Sequence, residues 1–203
     1  MPTYTSQPDA ANGIDNRIYE GSPDTNAGTA NTIDVGLQTT KRRGLLKFNL
    51  AIGTNPPPAA AIVTSAVINL TCIAYYVTRT LAFYQCLRAW VELESTWNVY
   101  STGNNWTTAG AGSDGNDYVS TELGSASVTG TGAVAITLNA SGIAIVQGWV
   151  NGTIANNGFI LRHTAETDDK NTYGSSDHAT AESRPQFVIE YLLGGQFIRW
   201  SSE

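Results

Sequence analysis

Charge is what this chain has least of. Only 14% of its 203 residues are Asp, Glu, Lys or Arg, well under the quarter usual in globular proteins. Acids outnumber bases, and the formal net charge is -6. Lys41-Arg42-Arg43 is the sole basic cluster; a nucleic-acid reader needs a broader basic face, so no nucleic-acid partner is expected. No apolar run reaches the ~20 residues that cross a bilayer. Met1 is followed by the polar PTYTSQPDAANG and not by a signal-peptide core, so no membrane insertion is expected, and either a signal has been removed or the protein reaches its site without Sec export. Histidine and cysteine are scarce at two each. His163 and His178 lack HxH or HxxxH spacing, and no Ser or Cys sits in a nucleophile elbow. No enzyme and no firm cofactor are therefore expected. Structural calcium is the one cofactor to consider, since SDGND (113–117) offers Asp114 and Asp117 and ETDDK (166–170) offers Asp168 and Asp169. Neither stretch has the spaced D-x-D-x-D-G ladder of a calcium loop.

What is abundant is strand signal. Residues 32–36, 44–50, 65–77, 81–91, 132–139, 158–164 and 186–193 are rich in β-branched and aromatic side chains, and Gly, Pro, Asn and Ser clusters separate them. In AVINLTCIAY the set Ala66, Ile68, Leu70, Cys72, Ala74 alternates with Asn69, Thr71 and Tyr75, which describes a strand with one face in a core. TNPPPAAA (54–61) reads as a polyproline-like crossover. One helix is expected over 141–152, with Ile143, Val146 and Val150 at helical spacing, Asn139 or Ser141 as cap and Gly152 as stop. Many strands and one short helix predict an all-β fold, an antiparallel β-sandwich of the jelly-roll kind. Residues 100–131 read as a long Gly/Ser/Asn loop carrying little core.

Two local patterns leave alternatives open. Cys72 and Cys86 lie on consecutive expected strands with Arg79 midway. A hairpin centred there would set the sulfurs opposite each other as a cross-strand disulfide; two buried free thiols fit equally well. AWVELESTWNVYSTGNNW (89–106) gathers three tryptophans and two glutamates. Glu92 and Glu94 would share one strand face, as an acid and base pair does, yet two carboxylates alone carry little weight.

Five motifs occur in the order of one known family: FNL at 48–50 after RRGLL, SAVINL, RAWVELESTWN, GIAIVQGWVNGTIANNGFIL, and YGSSDHATAESRPQFVIEY. The chain resembles the DNRLRE domain and its relatives among jelly-roll carbohydrate-binding-module-like domains, over roughly residues 15–191. DNRIYE (15–20) loosely echoes the motif that names that family, and Ser175-Ser176-Asp177 stands where its Ser-Ser-Glu is usual. The resemblance implies a jelly roll without chemistry of its own. It places Trp90 and Trp97 in the core and makes the W-x-E glutamate a loop brace. Tyr100, Trp106 and Tyr118 then remain as exposed rings for stacking on a glycan.

The resulting division is an N-terminal arm (1–14), a jelly-roll domain (15–193) and a C-terminal tail (194–203). Phe197, Ile198, Arg199 and Trp200 in the tail have the composition of an assembly contact. The expected function is a non-catalytic structural or binding protein on a virion surface, a capsid decoration or tail-associated component. Its expected partners are copies of itself, neighbouring virion proteins and cell-surface glycans. The alternative is a carbohydrate-binding module of a secreted, extracellular polysaccharide-acting protein.

Overall fold

A computed structural model describes residues 1–167 and 169–193. The strands in chain order begin with β1 (Thr3–Ser6), β2 (Ile14–Tyr19), β3 (Thr32–Gln38), β4 (Thr40–Lys47), β5 (Ile62–Ala74) and β6 (Arg79–Cys86). They continue with β7 (Val99–Ser101), β8 (Asn104–Asn105), β9 (Tyr118–Val128) and β10 (Gly132–Thr137). After the helix α1 (Ala140–Asn151) come β11 (Phe159–His163), β12 (Lys170–Gly174) and β13 (Gln186–Leu192). Eleven of these strands form one curled sheet in the order β1-β13-β5-β12-β3-β4-β11-β6-β9, with β10 beside β5 and β2 beside β4. Every one of its pairings is antiparallel. The expected all-β sandwich is therefore the fold, with α1 the single α-helix among the described residues.

Period-two alternation explains the packing. Ala66, Ile68, Leu70 and Cys72 of β5 point inward to meet Leu46 of β4, Phe83 of β6, Phe159 and Leu161 of β11, and Phe187 and Ile189 of β13. Phe159 anchors this core, standing edge-on to Phe83, Phe187 and Trp149 with ring centres 5.5, 6.2 and 5.0 Å apart. Tyr4 of β1 is fully buried in the same core, and β1 pairs with β13. Residues 1–14, expected as an arm, thus contribute a strand to the sheet.

Helix α1 forms where its caps say it should. Asn139 sits in extended conformation and its Oδ1 accepts from the Gly142 N–H at 3.0 Å; Gly152 ends the helix at φ 71°, a left-handed conformation that glycine adopts freely. Val146, Trp149 and Val150 carry its buried face.

Of the two alternatives for the cysteines, the buried free thiols hold: β5 lies beside β13, β12 and β10, whereas β6 lies beside β11 and β9, so Cys72 and Cys86 are not opposite each other. The chain crosses from one part of the sheet to another between them, and both thiols are free and buried. Burial pushes the Cys86 thiol up to about 12, leaving it inert as a thiolate nucleophile. Residues 118–128 of the expected loop are the long strand β9, whose Ser, Thr and Gly hide the pattern because it is half-exposed and bulged opposite Phe83–Gln85. Lys170–Gly174, outside every expected strand, is β12, a strand whose buried side chains include Asn171 and Thr172.

Gly142 fixes how closely α1 approaches β9. A methyl group there would meet the Leu123 carbonyl oxygen and the Leu138 side chain. Gly142→Ala should therefore destabilise the protein by about 1–3 kcal/mol in chemical denaturation, the range of an overpacked contact, despite alanine's higher helix propensity. A more stable variant would show that the approach is slack.

Candidate functional site

The outward face of the sheet at β2, β4, β6 and β11 is also buried. Leu45, Cys86 and Ile160 alternate with inward-facing residues and join Ile18, Trp90, Trp97, Trp106 and Ala111 in a second core. What covers them is the segment between β6 and β9. Trp90 donates its indole N–H to the Asn157 carbonyl at 2.8 Å, and Trp106 donates to the Thr96 carbonyl at 2.9 Å. Two cations of β4 lie against the rings, Lys47 Nζ 5.5 Å from Trp90 and the Arg43 guanidinium 5.3 Å from Trp97. Arg43 also makes a two-pronged pair with Glu166 at 2.7 Å on both prongs, and donates to the Gly110 carbonyl at 2.6 Å.

A segment this irregular must find partners for its backbone N–H and C=O groups and be tied to the strands beneath it, and side chains help to do both. Asp117, with no exposed surface, accepts from the Thr107, Thr108 and Ser113 N–H groups at 2.9–3.1 Å and from Arg88 at 3.3 Å. Burial alone would raise its carboxyl, but those donors hold it below the usual carboxylate range. Asn16, equally buried, donates to the carbonyls of Glu92 and Ser95 and to Ser95 Oγ, while its Oδ1 accepts from Ala27 N–H. Glu92 accepts from Asp15 N–H at 2.9 Å, and Glu94 from Thr102 N–H at 2.8 Å.

Asp34 holds the neighbouring strands together by the same means. Lys170 (2.6 Å), Arg17 (3.0 Å) and Arg42 (3.7 Å) converge on it, and Thr172 donates at 2.7 Å. Burial would raise its carboxyl, and the Lys170 and Thr172 bonds outweigh that and lower it.

These contacts decide what the expected site residues are. Trp106 is 4% exposed and belongs to the second core, so it offers no stacking face. Tyr100 and Tyr118 are half-buried, Tyr100 tilted 5.6 Å from Trp106 with Arg88 over it, Tyr118 edge-on to Tyr84 with Arg162 over it. Trp90 and Trp97 are core, as the resemblance implied. Among the calcium candidates, both Asp117 oxygens face N–H donors, and Asp114 binds the N–H and hydroxyl of Ser120. Asp169 accepts from Lys170 N–H. Asp168 and the tail residues Phe197, Ile198, Arg199 and Trp200 lie outside the described residues. Among the described residues no three His, Cys, Asp or Glu side chains gather as a metal-binding group.

One open hollow remains on this face. It encloses about 450 Å³ and is lined by Ile14, Lys47, Trp90, Val91, Glu92, Leu93 and Glu94. Val91 and Leu93 are 41% and 62% exposed on its rim. Beneath it, Asp15 accepts from Ser176 N–H at 2.8 Å. Burial pushes the Asp15 carboxyl up to about 7, and the charges of Glu92 and Asp177 add to the rise. Burial likewise raises Glu92, and lowers Lys47. No sequence signal announced Asp15 beyond the loose DNRIYE echo.

The arrangement belongs to a known class of domain. Residues 15–189 match the disaggregatase-related repeat domain, and the chain belongs to that family. It is a family distinct from the DNRLRE domain that the motifs suggested. No curated protein matches the chain.

Asp15 gives stability a pH signature. Its folded value lies above the ordinary 3.8, so its favourable contribution is complete below that pH and is lost as pH rises through about 7. Asp15→Asn keeps an acceptor for Ser176 and cannot ionise. Between pH 4 and 8 the stability difference should move in the variant's favour by roughly 3 kcal/mol, measured by urea unfolding. A difference independent of pH would show that Asp15 is ionised throughout.

Proposed function

We propose that this protein is a non-catalytic structural and binding domain that docks on a neighbouring subunit at the surface of a larger assembly. The observation that supports it most is the state of the Trp90–Glu94 loop. Both glutamates that resembled an acid and base pair are tied to backbone N–H groups, Glu92 to Asp15 and Glu94 to Thr102. The loop is thereby held rigid, while its exposed Val91 and Leu93 rim an apolar hollow. A preorganised aliphatic rim loses little entropy on binding and suits a protein partner. The family's description contains the word repeat, which is compatible with a unit used in more than one copy, while the word disaggregatase hints at an enzyme-like activity that this reading does not use. A virion surface is the assembly we propose.

Val91→Asp with Leu93→Asp should leave the melting temperature nearly unchanged, since exposed side chains contribute within about 0.5 kcal/mol. The same pair should release the protein from its native assembly in sedimentation. Unchanged retention would overturn docking at this rim. Hydrolysis of any polysaccharide that vanished in Glu92→Gln or Glu94→Gln would overturn the non-catalytic reading.

A further inference from the structure

Three cations crowd one carboxylate where β2, β3, β4 and β12 meet. Lys170 Nζ (2.6 Å), Arg17 Nη1 (3.0 Å) and Arg42 Nε (3.7 Å) all approach the same oxygen, Asp34 Oδ2. Strand register brings them together. Lys170 pairs with Gly36, Gly36 with Arg42, and Arg42 with Tyr19, two residues along β2 from Arg17. Among the described residues no other Asp or Glu pairs with any of the three. Their acidic neighbours in sequence are engaged elsewhere. Asp15 accepts from the Ser176 N–H, Glu20 from the Lys41 N–H and Asp169 from the Lys170 N–H, while Glu166 pairs with Arg43 and Arg162. One negative charge therefore faces three positive ones.

That surplus stands in a protein whose formal net charge is -6, and it is largely withdrawn from water. The side chains of Arg17, Arg42 and Lys170 are 27, 12 and 15% exposed. Unmatched charge out of water is costly unless an opposite charge reaches it. Aromatic rings offset part of the cost. The Arg42 guanidinium lies 4.3 Å from the centre of the Tyr19 ring, and Lys170 Nζ lies 5.9 Å from that of Tyr76. Donors are left over as well. Lys170 Nζ and Arg17 Nη1 each donate to Asp34, and Arg42 Nη1 donates to the Gln38 carbonyl at 3.3 Å. An ammonium and two guanidiniums carry many more N–H groups than these three bonds use.

We infer that this cluster binds a doubly charged tetrahedral oxyanion: phosphate, free or as a monoester. Two surplus positive charges match a dianion, and donors gathered about one point match one compact head with several oxygens. A single carboxylate would leave one charge unmatched. A nucleic-acid backbone needs a track of cations, and these stand in one spot. The anion takes the N–H groups that Asp34 leaves unused, while Asp34 goes on holding the three side chains in place. The site is separate from the Trp90–Glu94 hollow, and it stands or falls without the docking proposal.

The test is nuclear magnetic resonance titration of the full chain, at constant low ionic strength, with inorganic phosphate, glycerol 3-phosphate, acetate and a tetraglutamate peptide. Inorganic phosphate should shift the Gly36, Arg42 and Lys170 amides and reach saturation. Glycerol 3-phosphate binding equally well would assign the site to monoesters, and its failure would assign the site to the free ion. Affinity should rise between about pH 5 and 7.5, as the ligand gains its second charge, and fall with added salt. Lys170→Gln and Arg42→Gln, each shown to be folded by its amide spectrum, should weaken binding about tenfold, one charge-assisted hydrogen bond lost. Phosphate shifts no larger than those from acetate, tighter binding of tetraglutamate, affinity independent of pH, or full affinity in both variants would each overturn the assignment.

Discussion

Backbone N–H and C=O groups removed from water need partners, and in this protein carboxylate and amide side chains supply several that the sheet cannot. The segment between β6 and β9 makes only the small β7–β8 ladder of its own. It nevertheless excludes water from the back of the main sheet. Asp117, Asn16 and Glu92 make that possible by tying its turns to one another and to β2, and Glu94 fixes the outer turn at Thr102. Without them the loop would leave desolvated amides behind, each costing about 1–3 kcal/mol.

The three tryptophans follow from that constraint. A covering segment with few aliphatic residues must exclude water with few side chains, and indole buries more surface than any other. The N–H of Trp90 is satisfied across the fold by Asn157 and that of Trp106 within the loop by Thr96. Lys47 and Arg43 lie over two of the rings, so cations flank an otherwise apolar second core. A rigid loop leaves Val91 and Leu93 outside, and rigidity is what makes an exposed rim useful for contact.

Much of the fold was legible because alternation writes it directly. The seven expected strands coincide with β3, β4, β5, β6, β10, β11 and β13, although residues 87–91 leave the sheet for the loop. Helix α1 was legible from its caps. Strands β2 and β12 were not, since Asp15, Asn16, Asn171 and Thr172 are buried by hydrogen bonding and carry no apolar signal. The hairpin that would have set Cys72 opposite Cys86 requires neighbours in sequence to pair in space, and the sheet order breaks that pairing between β5 and β6. Trp106 looked exposed because its neighbours are polar, while its burial depends on Thr96, ten residues earlier. Asp117 offered oxygen to a cation or to N–H donors alike, and only three-dimensional proximity separates those cases.

The central claim is that side-chain clasps hold the Trp-rich segment as firmly as the strands beneath it. Hydrogen exchange of the Trp90 and Trp106 indole N–H groups tests it most directly. Both should be protected to nearly the level of the β5 and β6 amides, and Asn16→Ala should accelerate the indoles while leaving those amides slow. Rapid indole exchange in the unaltered protein would show that the segment opens independently and that the clasps do not hold it.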